Sequence, residues 1–188
     1  GGYPTPTHYP WPEYYASIYN EVASATEARL SPVPIDPYNV VAGQFGLPDD
    51  PMTWAKLIYD AIDRMDFVCL HAKTQTNNAA ECLSDAVFTH PPLSDRYLHL
   101  RTVEDQLQWI PDKWQDLPVF VTELNPQHNG IGLGWQAGNS EWVQKAMQYF
   151  REEQPVDGVV FYRYDIAGDQ AGFGLMKKPA LLEEILSV

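Results

Sequence analysis

The residues best suited to chemistry fall at the ends of four apolar runs. Glu123 closes one of them, following Pro-Val-Phe-Val-Thr, and Asn125 lies two residues on. A carboxylate after four residues of a buried strand is costly to desolvate unless it is paired or opens into a polar cleft. The run Phe67–His71 delivers His71, then Lys73 and Gln75; Val40–Phe45 delivers Gln44; Gly158–Tyr164 delivers Arg163 and Tyr164, then Asp165. Brought to one face, these groups would surround a carboxylate with an imidazole, an ammonium and a guanidinium. The plain alternative is that Glu123 merely ends a strand, solvated or paired with Arg163. Spacing alone weighs the two readings about equally.

The groups can share a face only if the four runs are parallel strands, and the periodicity between them predicts this. Pro12 opens a helix in which Tyr15, Ile18, Tyr19 and Val22 recur at helical spacing up to about Arg29. Asp50 and Pro51 fit an N-cap and first helical position, and Trp54, Leu57, Ile58, Ala61, Ile62 and Met65 follow on one stripe. Thr102 with Asp105 resembles a capping box, opening a helix through Trp109 that ends near Pro111. Asn139 or Ser140 can cap a helix carrying Trp142, Val143, Ala146, Met147 and Phe150, and Pro179–Leu186 reads as the last helix. Four strands, each followed by a helix, with one extra helix in front, define an α/β chain with a parallel sheet. Residues 1–188 read as one domain, with Gly1–Pro10 an extended loop. Helix-to-strand joins are short and strand-to-helix joins long (Gln44–Asp50, Ala72–Arg101, Asn125–Gly138, Asp165–Lys178). In parallel α/β folds such loops carry function at the carboxyl ends of the strands.

Composition and motifs remove most competitors. Across 188 residues, 12 basic and 25 acidic side chains leave a formal charge of −13, a poor match for nucleic-acid phosphate. No run of about 18 apolar residues predicts a membrane span. Neither a nucleophile elbow nor a phosphate-binding P-loop is present. Gly130–Gly134 (Gly-Ile-Gly-Leu-Gly) is not followed by the helix a dinucleotide loop needs, so no cofactor is expected. The histidines at 8, 71, 90, 99 and 128 are scattered, and no metal is expected. Cys69 and Cys82 lack zinc-ligand spacing; Cys69 reads as a buried core thiol, and a bond to Cys82 would require export. The first residue, Gly1, is not Met, which reads as upstream sequence removed; the compartment, secreted or cytoplasmic, stays open.

These runs resemble the second half of a known barrel. Pro118–Asn125 is similar to the seventh strand of the retaining, cellulase-like glycoside hydrolases built on (β/α)8 barrels, where a Thr-Glu pair supplies the catalytic nucleophile. Phe67–Ala72 (Phe-Val-Cys-Leu-His-Ala) resembles the sixth strand, Gly158–Asp165 the eighth, Val40–Phe45 the fifth, and Trp11–Leu30 the helix after the fourth. The resemblance implies a half-barrel of four βα units, a carbohydrate substrate and Glu123 as nucleophile. It implies His71, Lys73, Asn125, Trp135, Arg163, Tyr164 and Gln44 as the substrate-binding set. Two departures stand out. The clan's acid/base Glu belongs to an Asn-Glu motif before the start of this chain, and Glu13 does not replace it. Lys73 stands where Tyr is common, and Arg163–Tyr164 where a Trp often closes the sugar site.

Retaining hydrolysis needs two carboxyl groups about 5–5.5 Å apart, one attacking and one moving the proton. Here His71 and Asn125 could orient Glu123, and Trp135 either offers a stacking face to a pyranose ring or anchors its loop on the core. Two functions follow from this reading. The chain is a glycoside hydrolase-like domain completed by a missing acid, inactive alone, or a non-catalytic half-barrel that binds carbohydrate or another partner. Four βα units do not close a barrel. The faces bearing Val41, Val68, Phe120 and Val160, or their neighbours, then need cover, from a second copy in a homodimer or from the aromatics Tyr3, Tyr9, Trp11, Tyr14 and Tyr15. A flavodoxin-like open sheet is the alternative fold.

Overall fold

Helices and strands alternate in the order the periodicity predicts. A computed structural model describes residues 12–34, 51–89, 91, 93–126, 134–135, 139–154, 156–162, 175 and 178–187. The elements are α1 (Pro12–Ser24), α2 (Pro51–Ala61), β1 (Val68–Thr74), α3 (Thr102–Leu107), β2 (Val119–Pro126), α4 (Ser140–Gln148), β3 (Gly158–Phe161) and α5 (Pro179–Ser187). A 3-10 turn at Asp112–Trp114 precedes β2, and a π turn over Tyr149–Glu153 extends α4. The expected strand Val40–Phe45, with Gln44, lies outside the described residues, as do Gly1–Pro10 and Trp11. The chain is therefore α/β, with three parallel strands in the order β1-β2-β3 among the described residues.

The five described helices contribute to one core with one face of this sheet. Val68, Leu70 and Ala72 of β1 and Val121 and Leu124 of β2 join Ala16 and Tyr19 of α1, Ile58 of α2, Val103 of α3, Trp142 of α4 and Leu181 of α5. The period-two alternation of a strand sends Phe67, Cys69, His71 and Lys73 to the other face. Phe120 sits opposite Cys69 there and packs edge-on against Phe67 at 5.6 Å, while Val160 is 55% exposed. Val68 therefore belongs to the helical core, and its neighbour Cys69 shares the open face with Phe120.

Local rules explain the differences from expectation. The apolar residues of α1 do not form one stripe: Ala16, Tyr19 and Ala23 are buried, whereas Tyr14, Ile18 and Val22, at i, i+4 and i+8, are exposed. Its apolar residues fill a broad sector opposite the polar stripe Glu13, Ser17, Asn20, Glu21 and Ser24, so periodicity alone could not choose which part of that sector faces inward. Thr102 is the first helical residue of α3 and Arg101 holds the cap position without a side-chain bond; Asp105 instead accepts the Tyr97 N–H at 2.7 Å. Asn139 holds the cap position of α4, but its amide donates to the Asn77 carbonyl at 3.1 Å. Arg64 fastens the exit of α1 by donating to the carbonyls of Ala23, Thr26 and Ala28 and pairing with Asp66, which accepts the Leu30 N–H. These bonds fix the segment entering β1.

Candidate active site

The sheet carries an irregularity at the position where its chemistry lies. Along β1 the partner of Leu70 is Val121, but the partner of His71 is Glu123; along β3 the partners of Val121 and Leu124 are Val159 and Phe161. Both neighbours skip one residue of β2, so the extra residue is at Thr122–Glu123. Such a bulge breaks the alternation and re-aims a side chain. Thr122 and Glu123, though consecutive, both line the same cleft.

That cleft, of about 460 Å³, runs between Ser31–Pro34 and the open sheet face, lined by Phe67, Cys69, His71, Thr122 and Glu123. Glu123 Oε2 lies 2.8 Å from Lys73 Nζ and 3.7 Å from His71 Nδ1. Register explains the pair of partners: His71 is directly opposite Glu123, and Lys73 is two residues further along, opposite Asn125. The lysine side chain is only 14% exposed and its ammonium stands 5.9 Å from the ring of Tyr162. The Glu123 side chain is 25% exposed, so the pair is partly desolvated and each charge depends in part on the other. Burial pushes the Cys69 thiol up, and the hydroxyl side chains of Ser31 and Thr122 beside it pull partly back. Such a thiol is protonated near neutrality and acts as cleft wall rather than nucleophile.

The predicted site residues divide into three groups. His71, Lys73 and Glu123 come together, with Asn125 next along β2, where it is buried and its Oδ1 has no hydrogen-bond partner among the described residues. Trp135 is 1% exposed, packs edge-on against Trp142 at 5.5 Å and donates Nε1–H to the Tyr162 carbonyl at 2.7 Å. Its ring is spent on the core, the loop-anchor reading rather than the sugar platform. Gln44, Arg163, Tyr164 and Asp165 lie outside the described residues. Sequence reasoning missed Tyr162, which alternation from Gly158 would have placed on the Glu123 face, and Thr122, which alternation alone places correctly only because the bulge leaves it unmoved.

Among the described residues no cluster of three His, Cys, Asp or Glu could hold a metal, and Cys69 and Cys82 are both free and buried. Desolvation pushes the Cys82 thiol up to about 11. No described helix is long and apolar enough to cross a membrane. The arrangement offers one carboxylate, a lysine, an imidazole and a hydroxyl at the mouth of a partly apolar cleft. No family model, curated protein or solved structure matches the chain.

Proposed function

We propose that this chain is a glycoside hydrolase-like domain acting on carbohydrate, with Glu123 as the nucleophile of a retaining mechanism. The observation that carries the reading is the bulge at Thr122–Glu123, which turns a strand-end carboxylate into a cleft beside His71 and Lys73. The winding of the sheet supports the fold half of the reading. Among the described residues, sequential strand order, helices packed on one face and polar groups on the other match what βα units of a (β/α)8 barrel would display. A flavodoxin-like sheet would cover both faces with helices.

Among the described residues lining the cleft, Glu123 is the one carboxylate. Its proton-donating counterpart would come from elsewhere, and hydrolysis would be slow without it. Substrates with different leaving groups test this. Dinitrophenyl glycosides depart without a proton and are expected to release dinitrophenol in a burst that Glu123→Gln abolishes. Simple aryl glycosides are expected to turn over little or not at all. Equal, Glu123-dependent rates on both would mean that another carboxylate, such as Asp165 or Asp169, serves as the acid. No burst on any dinitrophenyl glycoside would overturn the catalytic reading.

The ion pair favours a second reading. An ammonium held on Glu123 weakens it as an attacking group and suits a non-catalytic site that binds carbohydrate. Affinity for sugars that Glu123→Gln weakens, without the burst, would select that reading.

A further inference from the structure

Gln106 makes a pair of contacts that helix packing alone does not require. It stands on α3, only 3% exposed, and its side-chain amide grips the backbone of one residue of β1. Nε2–H donates to the His71 carbonyl at 2.8 Å, and Oε1 accepts the His71 N–H at 3.4 Å. The amide also donates to the Thr102 carbonyl at 3.2 Å. His71 is the residue at which the β1 register breaks against β2.

We propose that Gln106 is a positioning residue that holds His71 against Glu123, an inference that rests on the reading of Glu123 as the working group. The chemistry of the contact is selective. A primary amide offers a donor and an acceptor at once; a carboxylate cannot donate, and an alkyl chain leaves both backbone groups of His71 without these bonds. The platform beneath it is fixed. Glu104 of α3 accepts hydrogen bonds from Arg101 and from the Tyr149 hydroxyl at 2.9 Å, and Asp105 holds the Tyr97 N–H. Gln106 does not line the cleft. It acts through the backbone, setting where the imidazole stands when Glu123 reaches it from β2, with Cys69 and Lys73 two residues to either side on the same strand.

The test measures the coupling between His71 and Glu123. His71 is titrated by two-dimensional NMR of the imidazole signals, assigned with His71→Asn. In the wild-type chain, Glu123→Gln removes a carboxylate 3.7 Å from His71 Nδ1 that favours imidazolium, so the His71 midpoint falls. In the Gln106→Leu background the same substitution should move the midpoint less than half as far. A loss of stability alone would leave the coupling of the folded molecules unchanged. Should Gln106→Leu fail to fold, Gln106→Glu keeps the shape, removes the donor at neutral pH and restores it on protonation; there the coupling is reduced at neutral pH. An equal Glu123→Gln shift in both backgrounds overturns the proposal. Covalent labelling by an activated fluoroglycoside gives the second readout: Gln106→Leu slows it by about tenfold. If wild type is not labelled while the coupling changes as stated, the functional reading fails and the positioning role stands.

Discussion

Lys73 Nζ lies 2.8 Å from Glu123 Oε2 although the two residues are not opposite one another in the sheet. The bulge in β2 brings them together in a partly buried setting. Removing one member leaves a charge without its partner; removing both leaves none. Lys73→Met and Glu123→Gln should therefore each destabilise the chain by about 1–3 kcal/mol, below the range for fully buried pairs because both groups retain some exposure. The double variant should cost less than the sum of the two. Urea unfolding of the four chains measures this, and strict additivity would mean the pair contributes no coupling.

The acid side of the stability profile follows from two carboxylates on the helical side. The Leu30 N–H, then Arg64, holds the Asp66 carboxyl below the usual range; the Arg101 guanidinium beside Glu104 does the same there. A folded value below the unfolded one stabilises the chain above the unfolded carboxylate range, and the contribution is lost as pH falls through the folded value. The melting temperature is expected to drop on acidification from neutrality, and less steeply in Asp66→Asn. Burial raises the Asp105 carboxyl, which works in the opposite direction and offsets part of the loss. A melting temperature flat from pH 7 to pH 3 would contradict this assignment.

Trp135 separates packing from sugar binding. Its indole fills the space between Trp142 and Phe161. Trp135→Ala should cost about 3–5 kcal/mol, as for other buried large-to-small changes. Affinity for carbohydrate, measured well below the lowered melting temperature, should not depend on a stacking face at this position. A near-neutral stability change with lost sugar affinity would restore the platform reading.

The open face of the sheet predicts self-association. Val160 of β3 is 55% exposed, and Val33, on the wall of the cleft, is 65% exposed. Joining two half-barrels would cover this surface and both sheet edges at once. Light scattering at micromolar concentration is expected to give twice the chain mass of 21.3 kDa. A clean monomer would turn attention to the N-terminal aromatics as the cover.

The fold was legible where a single rule dominated. Near-continuous apolar runs marked Val68, Val121 and Val159 as strand, and proline at position 12, 51 or 179 marked helix starts within a residue. The inner face of α1 was not legible, because Tyr14, Ile18 and Val22 are as apolar as the residues that went inside. Capping residues misled where tertiary contacts outbid local ones, as Asn77 did for the side chain of Asn139. The candidate site was partly legible: strand ends pointed to His71, Lys73 and Glu123. The bulge that unites them is a property of three strands in register, and no local signal in Thr122 or Glu123 announces it. Gln106 was silent for the same reason, since a helix glutamine shows its role only when the strand it grips is in place.

Glu123 as nucleophile is tested most directly by intact-mass spectrometry after incubation with dinitrophenyl 2-deoxy-2-fluoroglycosides of hexose and pentose configurations. These reagents need no acid catalyst to react and release their sugar slowly. Attack by Glu123 is expected to give one fluorosugar adduct per chain, mapped to the peptide containing Glu123 and absent in Glu123→Gln. No adduct with any configuration, or an adduct on another residue, would contradict it.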